Sequence, residues 1–170
     1  TPNIDFLINH GTYFSQTISS APVTIASVSS ILTSLFTFKS IIGDGNRFKL
    51  NPNVPNFISH LNNLNYNTIS ITPEILSLSG LTNDFERNIN YPGYQGLYDG
   101  VGEIIISEFN KMKSNKPWFF YIHLFDIHRS KKIPKKFDDE KFGKNHHEKM
   151  ISAMDEWFGK IFEKINFEET

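Results

Sequence analysis

The spacing of hydrophobic residues along the chain predicts a series of amphipathic helices. Apolar residues recur every three or four positions, which places them on one face of a helix. Thr1-Pro2 is a typical helix start and Gly11 a typical end. The predicted helices are the segment from Thr1 to Gly11, Thr24–Leu35, a helix after Asn53 with Pro55 in its first turn, Asp99–Lys113, and a last helix that carries Met150 to Ile165.

Two apolar segments between these helices predict buried strands. Thr68–Ile71 is short and β-branched, and Trp118–Phe125 is a continuous apolar and aromatic run typical of a central strand covered on both faces. A weaker strand is expected at Tyr13–Ile18. The alternation predicts an α/β fold, a three-layer α/β/α sandwich with a mainly parallel sheet. Ligands of such sheets bind beyond the carboxyl ends of the strands, so the segment after Phe125 is expected to carry chemistry.

Composition narrows the class of protein. The 170 residues suit one domain, 39% of them are hydrophobic and 14% aromatic, and the net charge is −1. The nearly balanced charge gives no indication of a nucleic-acid partner. The absence of cysteine excludes disulfides, thiolate zinc sites and a cysteine nucleophile. No apolar run approaches the ~20 residues of a membrane-spanning helix, and no signal peptide is visible.

Thr24 is the first candidate for chemistry, because it begins a predicted helix. A hydroxyl there lies at the positive end of the helix dipole, beside backbone N–H groups without partners. That environment favours an alkoxide and binds phosphate or sulfate. The alternative is that Thr24 is the N-cap, a common position for threonine.

Asp126 and His128 follow the strongest predicted strand. A carboxylate and an imidazole at that place could bind a metal, hold a substrate oxyanion or transfer protons. His123 lies within the strand and is expected to be a hydrogen-bonded structural residue. His146 and His147 are expected to face solvent at the start of the last helix.

Five segments of the chain, in order, resemble the sequence blocks of the sulfatase and alkaline phosphatase superfamily. The last of them includes Asp155 and Gly159, which match an aspartate and a glycine of the family pattern. Five ordered matches make coincidence a poor explanation. The segments are Thr1–Phe14, Ser20–Ser34, Val54–Thr68, Pro117–His128 and Met150–Ile165.

The resemblance implies a hydrolase or transferase of sulfate or phosphate esters with an incomplete alkaline phosphatase-like fold. Thr24 would be the nucleophile and a metal ligand, His128 would be catalytic and contact the substrate, and Asp126 would take part in substrate binding. A divalent metal ion (Ca, Zn, Mn or Mg) is implied, with most of its ligands outside this chain. The implied substrate is a small-molecule, glycan-linked or lipid-linked ester, and the implied location is periplasmic or extracellular.

Three departures from the sulfatase pattern argue against formylglycine chemistry. Sulfatases need cysteine or serine where this chain has Thr24, arginine where it has Val28, and proline where it has Ala26. Threonine is instead the nucleophile type of the phosphodiesterase and phosphotransferase branches of the superfamily. The GKWHLG block of arylsulfatases has no counterpart at Thr72–Ile75.

The resemblance also bears on domain organisation. Residues 1–170 are expected to be a partial sulfatase-like catalytic domain, without the first metal-binding strand and without the later DHG segment. The fragment itself is expected to be inactive. Two alternatives stay open, namely a catalytically inactive sulfatase-like binding or structural module, and an unrelated α/β domain in which Thr24 is only a cap.

Overall fold

The computed structural model describes residues 1–43, 48–112, 116–128 and 131–168. The chain divides into two compact units. The first, called the terminal unit, comprises Thr1–Ser15, Gly93–Lys113 and Leu124–Thr170. The second, called the sheet unit, comprises Gln16–Pro92 and Ser114–His123.

Helices and strands alternate along much of the chain, as the hydrophobic pattern predicts. Within the described ranges, none of the helices combines the length and the apolar character needed to cross a membrane. The helices are α1 (Pro2–His10), α2 (Thr24–Thr33), α3 (Thr37–Ser40), α4 (Phe57–Asn63), α5 (Glu74–Leu78), α6 (Val101–Lys111) and α7 (His146–Phe162). The strands are β1 (Ile41–Ile42), β2 (Lys49–Leu50), β3 (Asn67–Pro73), β4 (Arg87–Tyr91) and β5 (Trp118–Ile122), and short 3-10 helices cover Leu97–Asp99, Lys135–Phe137 and Glu140–Phe142.

A parallel three-stranded sheet in the order β4-β3-β5 forms the centre of the sheet unit. Ile69 of β3 lies opposite Arg87 of β4 and Phe120 of β5. Parallel pairing of strands that are separated by helices confirms the predicted α/β class. A core of apolar side chains packs in this unit, formed by Val28, Leu32, Ile58, Leu76, Leu81 and Phe85.

The central strand β3 is buried although Thr68, Ser70 and Thr72 give every second position a hydroxyl. The Thr68 hydroxyl donates to Asn62 Oδ1 at 2.6 Å, and the Ser70 hydroxyl donates to Asn88 Oδ1 at 2.8 Å. The Thr72 hydroxyl has no partner among the described residues. A buried hydroxyl is costly chiefly when it lacks a partner. The two asparagine amides therefore help a strand of mixed polarity to occupy the middle of the sheet.

The aromatic run forms a strand from Trp118 as predicted, but its predicted length and its predicted central place are wrong. β5 ends at Ile122 instead of Phe125, and it lies beside β3 rather than at the centre of the three-stranded sheet. Its residues are all half-buried. The run of large aromatic side chains resembles the pattern of a doubly covered strand, but such side chains can bury much area while part of each ring stays exposed.

The weak strand expected at Tyr13–Ile18 is wrong, since the described backbone there is irregular and exposed. A strand needs a neighbour to accept and donate its ladder hydrogen bonds, and the described sheets offer this segment no pairing.

The helix predicted after Asn53 begins later than expected. The Asn56 side chain accepts a hydrogen bond from the Ile58 amide at 2.8 Å, which makes Asn56 the N-cap of α4. Pro55 therefore precedes the helix instead of lying in its first turn. The helices α1, α2, α6 and α7 confirm the other predictions with small shifts at their ends, and Lys113, the expected end of α6, lies outside the described residues.

In the terminal unit, α7 holds the N-terminal end of α1 through the buried carboxylate of Asp155. Its two oxygens accept hydrogen bonds from the backbone amides of Ile4 at 2.8 Å and Asn3 at 3.3 Å. The Asn3 side chain in turn donates to the Asp155 carbonyl at 2.8 Å and to its carboxylate at 3.1 Å. The carboxylate thus satisfies amides that a helix leaves without partners, and it lies at the positive end of the helix dipole.

Two glycines allow the close packing of α7 with its neighbours. A Cβ on Gly159 would lie 2.9 Å from the side-chain nitrogen Nδ2 of Asn3. A Cβ on Gly102 of α6 would lie 2.5 Å from the ring of Trp157, a residue of α7. Both positions therefore exclude a side chain, and Asp155 together with Gly159 shapes the place that Asn3 occupies.

We expect Asp155→Ala to lower the free energy of unfolding by about 2–3 kcal/mol, because the first amides of α1 lose a charged hydrogen-bond acceptor. Urea unfolding followed by circular dichroism measures the change. Glu163→Ala, which removes an exposed acid just beyond the C-terminal end of α7, is the control and should change stability by less than about 0.5 kcal/mol. Equal effects of the two substitutions would contradict the role of Asp155.

Candidate functional site

Thr24 occupies the first position of α2, in the sheet unit. Val23 is the N-cap, with extended backbone at φ −127° and ψ 148°. The interpretation of Thr24 as the N-cap is therefore wrong, because the helical conformation already includes it. Thr24 is half-buried, and the first turn of α2 carries no acidic side chain that would compensate the helix dipole.

Ser19 contacts the segment that leads into α2 and a serine of its first turns. The Ser19 hydroxyl donates to the Ala21 carbonyl at 2.7 Å and lies 3.3 Å from the Ser27 hydroxyl. These contacts fix the chain that enters the helix just before Thr24. The sequence does not single out Ser19, because a serine in an irregular segment carries no distinctive pattern.

The position of Val28 gives a physical reason for one departure from the sulfatase pattern. Val28 is 3% exposed and belongs to the apolar core of the sheet unit, together with Leu32. An arginine at this place would put a charge among apolar side chains, at a large desolvation cost. In this chain, the residue at this position packs in the apolar core.

Asp126 lies in the terminal unit, in the segment after β5, and is 4% exposed. Its Oδ1 accepts a hydrogen bond from the Leu97 amide at 2.8 Å, while its Oδ2 has no hydrogen-bond partner among the described residues. Burial raises the pKa of the Asp126 carboxyl. The Leu97 hydrogen bond and the charge of Lys131 oppose that rise in pKa, and Asp99 adds to it.

His128 has a different environment from Asp126, two residues away. Its side chain is exposed, and its ring centroid lies 4.8 Å from that of Phe125. The His128 amide donates to the Phe125 carbonyl at 3.0 Å, which closes a turn after the strand. The imidazole is therefore accessible to a ligand, whereas the Asp126 carboxyl group is largely shielded from solvent.

Hydrogen bonds connect the loop from Gly93 to Asp99 with the segment after β5. We call it the tyrosine loop because it contains Tyr94 and Tyr98. Lys131 Nζ donates to the Gly93 carbonyl at 3.1 Å and to the Gln95 carbonyl at 2.6 Å. A Cβ at position 96 would lie 2.6 Å from Asp126 Oδ1, so only glycine allows this approach. The loop is therefore held by one lysine and by one buried carboxyl group.

The remaining histidines mostly behave as expected. The Tyr121 hydroxyl lies 3.0 Å from His123 Nδ1, and the His123 amide donates to the Ile71 carbonyl at 3.0 Å, which supports a structural role. Burial raises the pKa of Tyr121 to about 12, so its phenol stays protonated and can donate to the imidazole. His147 is exposed, as expected. The expectation that His146 faces solvent is wrong, because its side chain is half-buried and its Nε2 lies 2.8 Å from the Lys131 carbonyl.

The predicted site residues are divided between the two units. Asp126 and His128 share a short segment of the terminal unit, and Thr24 belongs to the sheet unit. Within the part of the chain that the structure describes, no group of three or more His, Cys, Asp or Glu residues could hold a metal ion.

Comparisons with known proteins give a family match and a fold. A family model described as Sulfatase matches residues 1–169. No curated protein sequence matches the chain. The fold is similar to the C-terminal periplasmic domain of EcEptC from Escherichia coli, with 14% sequence identity and a TM-score of 0.61 over 96% of this chain and 50% of that one.

A second structure of that E. coli domain, in complex with Zn, has 17% identity and a TM-score of 0.52 over 96% of this chain and 49% of its own. The chain therefore spans about half the length of the solved domains it matches. At these identities the likeness shows the fold, and it confirms the predicted α/β architecture as an incomplete alkaline phosphatase-like fold.

We expect Asp126→Asn to remove a pH dependence of stability. A carboxyl with a raised pKa binds more protons in the folded state, so the wild type loses stability as pH rises from the unfolded value of about 3.9 through the folded pKa. Asparagine keeps an acceptor for the Leu97 amide but has no charge to bury. We would measure the free energy of unfolding in urea at several pH values from about 4 to 7. The stability of the variant relative to the wild type should increase as pH rises.

Asp126→Ala provides the comparison, because it removes the acceptor as well as the charge. It should lower stability by about 1–3 kcal/mol relative to Asp126→Asn across that pH range, since the buried Leu97 amide is left without a partner. A difference between Asp126→Asn and the wild type that stays constant with pH, or that changes in the opposite direction, would contradict the raised pKa of this carboxyl.

Proposed function

Because the chain belongs to the sulfatase family, we propose that it forms part of a catalytic domain that transfers a sulfuryl or phosphoryl group from an ester, with Thr24 as the nucleophile. The observation that carries this proposal is the position of Thr24. Its hydroxyl begins α2 while Val23 takes the capping position, so Thr24 is not needed as the cap. The amides of the first helical turn favour a negatively charged group beside it.

The proposed reaction has two steps. Thr24 Oγ attacks sulfur or phosphorus, the bond to the ester oxygen breaks, and the threonine proton ends on the departing alcohol. Water or a second alcohol then attacks the threonine ester, and a proton from that nucleophile returns to Thr24 Oγ. Attack by water makes the protein a hydrolase, and attack by a second alcohol makes it a transferase.

Threonine at this position favours an ester intermediate over formylglycine chemistry. The carbon that bears its hydroxyl also bears a methyl group, so its oxidation would give a ketone and not an aldehyde. The burial of Val28 is consistent with the same view, because a core residue stands where the sulfatase pattern has an arginine.

His128 is proposed as the residue that contacts the ester group of the substrate. Its exposed imidazole can donate a hydrogen bond to an anionic oxygen or transfer a proton to the leaving group. Asp126 is proposed as a part of the same binding region, through the loop that it holds by accepting a hydrogen bond from the Leu97 amide.

A divalent metal ion is proposed as the cofactor, on the basis of family membership and the Zn complex of the solved E. coli domain. When bound, such an ion stabilises anionic oxygens as a Lewis acid. The described residues do not fit a metal centre of their own, since they contain no cluster of three suitable ligands. The proposed steps therefore use protein groups alone.

The proposed substrate is a small-molecule, glycan-linked or lipid-linked sulfate or phosphate ester. A periplasmic or extracellular location is proposed because the similar solved domains are periplasmic. A second candidate function is a sulfatase-like binding module without catalysis. The buried Val28, in place of the arginine of the sulfatase pattern, favours that alternative.

We expect Thr24→Ala to reduce turnover of aryl phosphate, phosphodiester or aryl sulfate by at least about a thousandfold, as loss of a nucleophile does in other enzymes. The assay uses the complete gene product with added divalent metal ions. Stability should change by less than about 0.5 kcal/mol, because Thr24 is not a cap and alanine is a good helix former.

The exposed Thr12 offers a matched control, and Thr12→Ala should leave turnover unchanged. Thr24→Ser should retain part of the activity, since it keeps a hydroxyl. Turnover by Thr24→Ala within about tenfold of the wild type would rule out this nucleophile, because such a loss corresponds to only ~1.4 kcal/mol. A folded wild type that is inactive on all three substrate classes would favour the binding module.

A further inference from the structure

A cleft of about 510 Å³ lies in the terminal unit beside Asp126. That volume falls in the range of sites that hold small organic molecules. Residues that line the cleft include Tyr94, Tyr98, Asp126, Lys131, Lys132 and Met150.

The cleft is close to the residue proposed to contact the ester group. Asp126 is in its wall, and His128 follows two residues later, so their Cα atoms are at most about 7 Å apart. A substrate whose ester group contacts the imidazole could therefore extend its alcohol part toward the cleft.

One wall of the cleft is the tyrosine loop, and its geometry is fixed at several points. Lys131 Nζ donates to two loop carbonyls, Asp126 Oδ1 accepts from the Leu97 amide, and the Gly96 amide donates to Asp99 Oδ2 at 3.0 Å. A loop that is fixed before a ligand arrives loses less conformational freedom on binding.

The two tyrosines in this wall have different surroundings. Tyr98 is held by α7, because its hydroxyl donates to Glu156 Oε1 at 3.1 Å and its ring contacts that of Trp157 with the centroids 5.9 Å apart. Tyr94 is 77% exposed, so its ring can contact a ligand. Tyr98 therefore forms a rigid part of the wall, and Tyr94 offers an open aromatic face.

The charges that line the cleft balance one another. Asp99 and Asp126 are opposed by Lys131 and Lys132, so the cleft favours neither a strongly anionic nor a strongly cationic ligand. The Asp126 carboxyl group is buried, so it acts on a ligand through the tyrosine loop that it holds at the Leu97 amide and not by direct contact. These features suit a neutral, ring-bearing alcohol.

We propose that this cleft binds the alcohol part of the ester, that it selects neutral ring-bearing alcohols, and that Tyr94 determines the selection by stacking on the ring. Asp126 and Lys131 act as positioning residues that hold the tyrosine loop. The inference rests on the proposed function, because it concerns the substrate of the same site.

The test compares two esters of different size with the complete gene product, namely 4-methylumbelliferyl phosphate and ethyl phosphate. Tyr94→Ala should raise KM for the umbelliferyl ester by about threefold to tenfold and leave kcat nearly unchanged, because an aromatic contact of this kind is modest in energy. KM for the ethyl ester should not change. Tyr94→Phe should behave as the wild type, since it keeps the ring.

Two further variants make the result specific. Tyr13→Ala removes another exposed tyrosine, one that does not line the cleft, and should change neither KM. Lys131→Met should raise KM for the umbelliferyl ester as Tyr94→Ala does, and Lys131→Arg should restore part of the loss. An equal effect of Tyr94→Ala on both esters, or an effect on neither, would overturn the inference.

Direct binding of 4-methylumbelliferone, followed by its fluorescence, separates this inference from the proposed function. Weaker binding to Tyr94→Ala than to the wild type would support the cleft even if Thr24→Ala retained full turnover. Active enzyme with unaltered umbelliferone binding in Tyr94→Ala would overturn the cleft and leave Thr24 as the nucleophile. Failure of the wild type to bind umbelliferone would also overturn it.

Discussion

The hydrogen bonds of the Asp155 carboxylate with the first amides of α1 are the interaction on which the terminal unit depends. They join residues 151 and 152 positions apart in the chain. A buried carboxylate is tolerated only where donors surround it, and the free amides at a helix start supply them. The same helix, α7, places Trp157 against Gly102 of α6 and Glu156 beside the Tyr98 hydroxyl. The order of the tyrosine loop thus depends on α7 as well as on Asp126 and Lys131.

Hydrophobic periodicity is sufficient to predict α1, α2, α6 and α7, because apolar residues recur at helical spacing in each of them. It is not sufficient to place β5, since a run of aromatic side chains does not reveal how much of each ring is covered. The start of α4 depends on a side-chain hydrogen bond of Asn56, and the N-cap of α2 is Val23, which has no capping side chain. Local backbone and side-chain geometry therefore decides the helix boundaries that periodicity leaves open.

The candidate site is predictable only in part, because some of its contacts join residues that are far apart in the chain. Thr24, Asp126 and His128 can be named from their places beside predicted elements and from the family resemblance. The contacts of Asp126 with Leu97 and of Lys131 with Gly93 join positions 29 and 38 residues apart, and no spacing in the sequence indicates them. Asp155 and Gly159 match the family pattern, and the structure supplies the physical reason, because both contact Asn3 at the start of α1.

If Thr24 is the nucleophile, its side chain becomes covalently modified during turnover, and mass spectrometry of the acid-quenched complete gene product detects that modification. In the presence of substrate, the peptide containing Thr24 should gain the mass of one phosphoryl or sulfuryl group, and fragmentation should assign the group to the Thr24 side chain. Modification of a different residue in an active preparation would exclude Thr24 as the nucleophile.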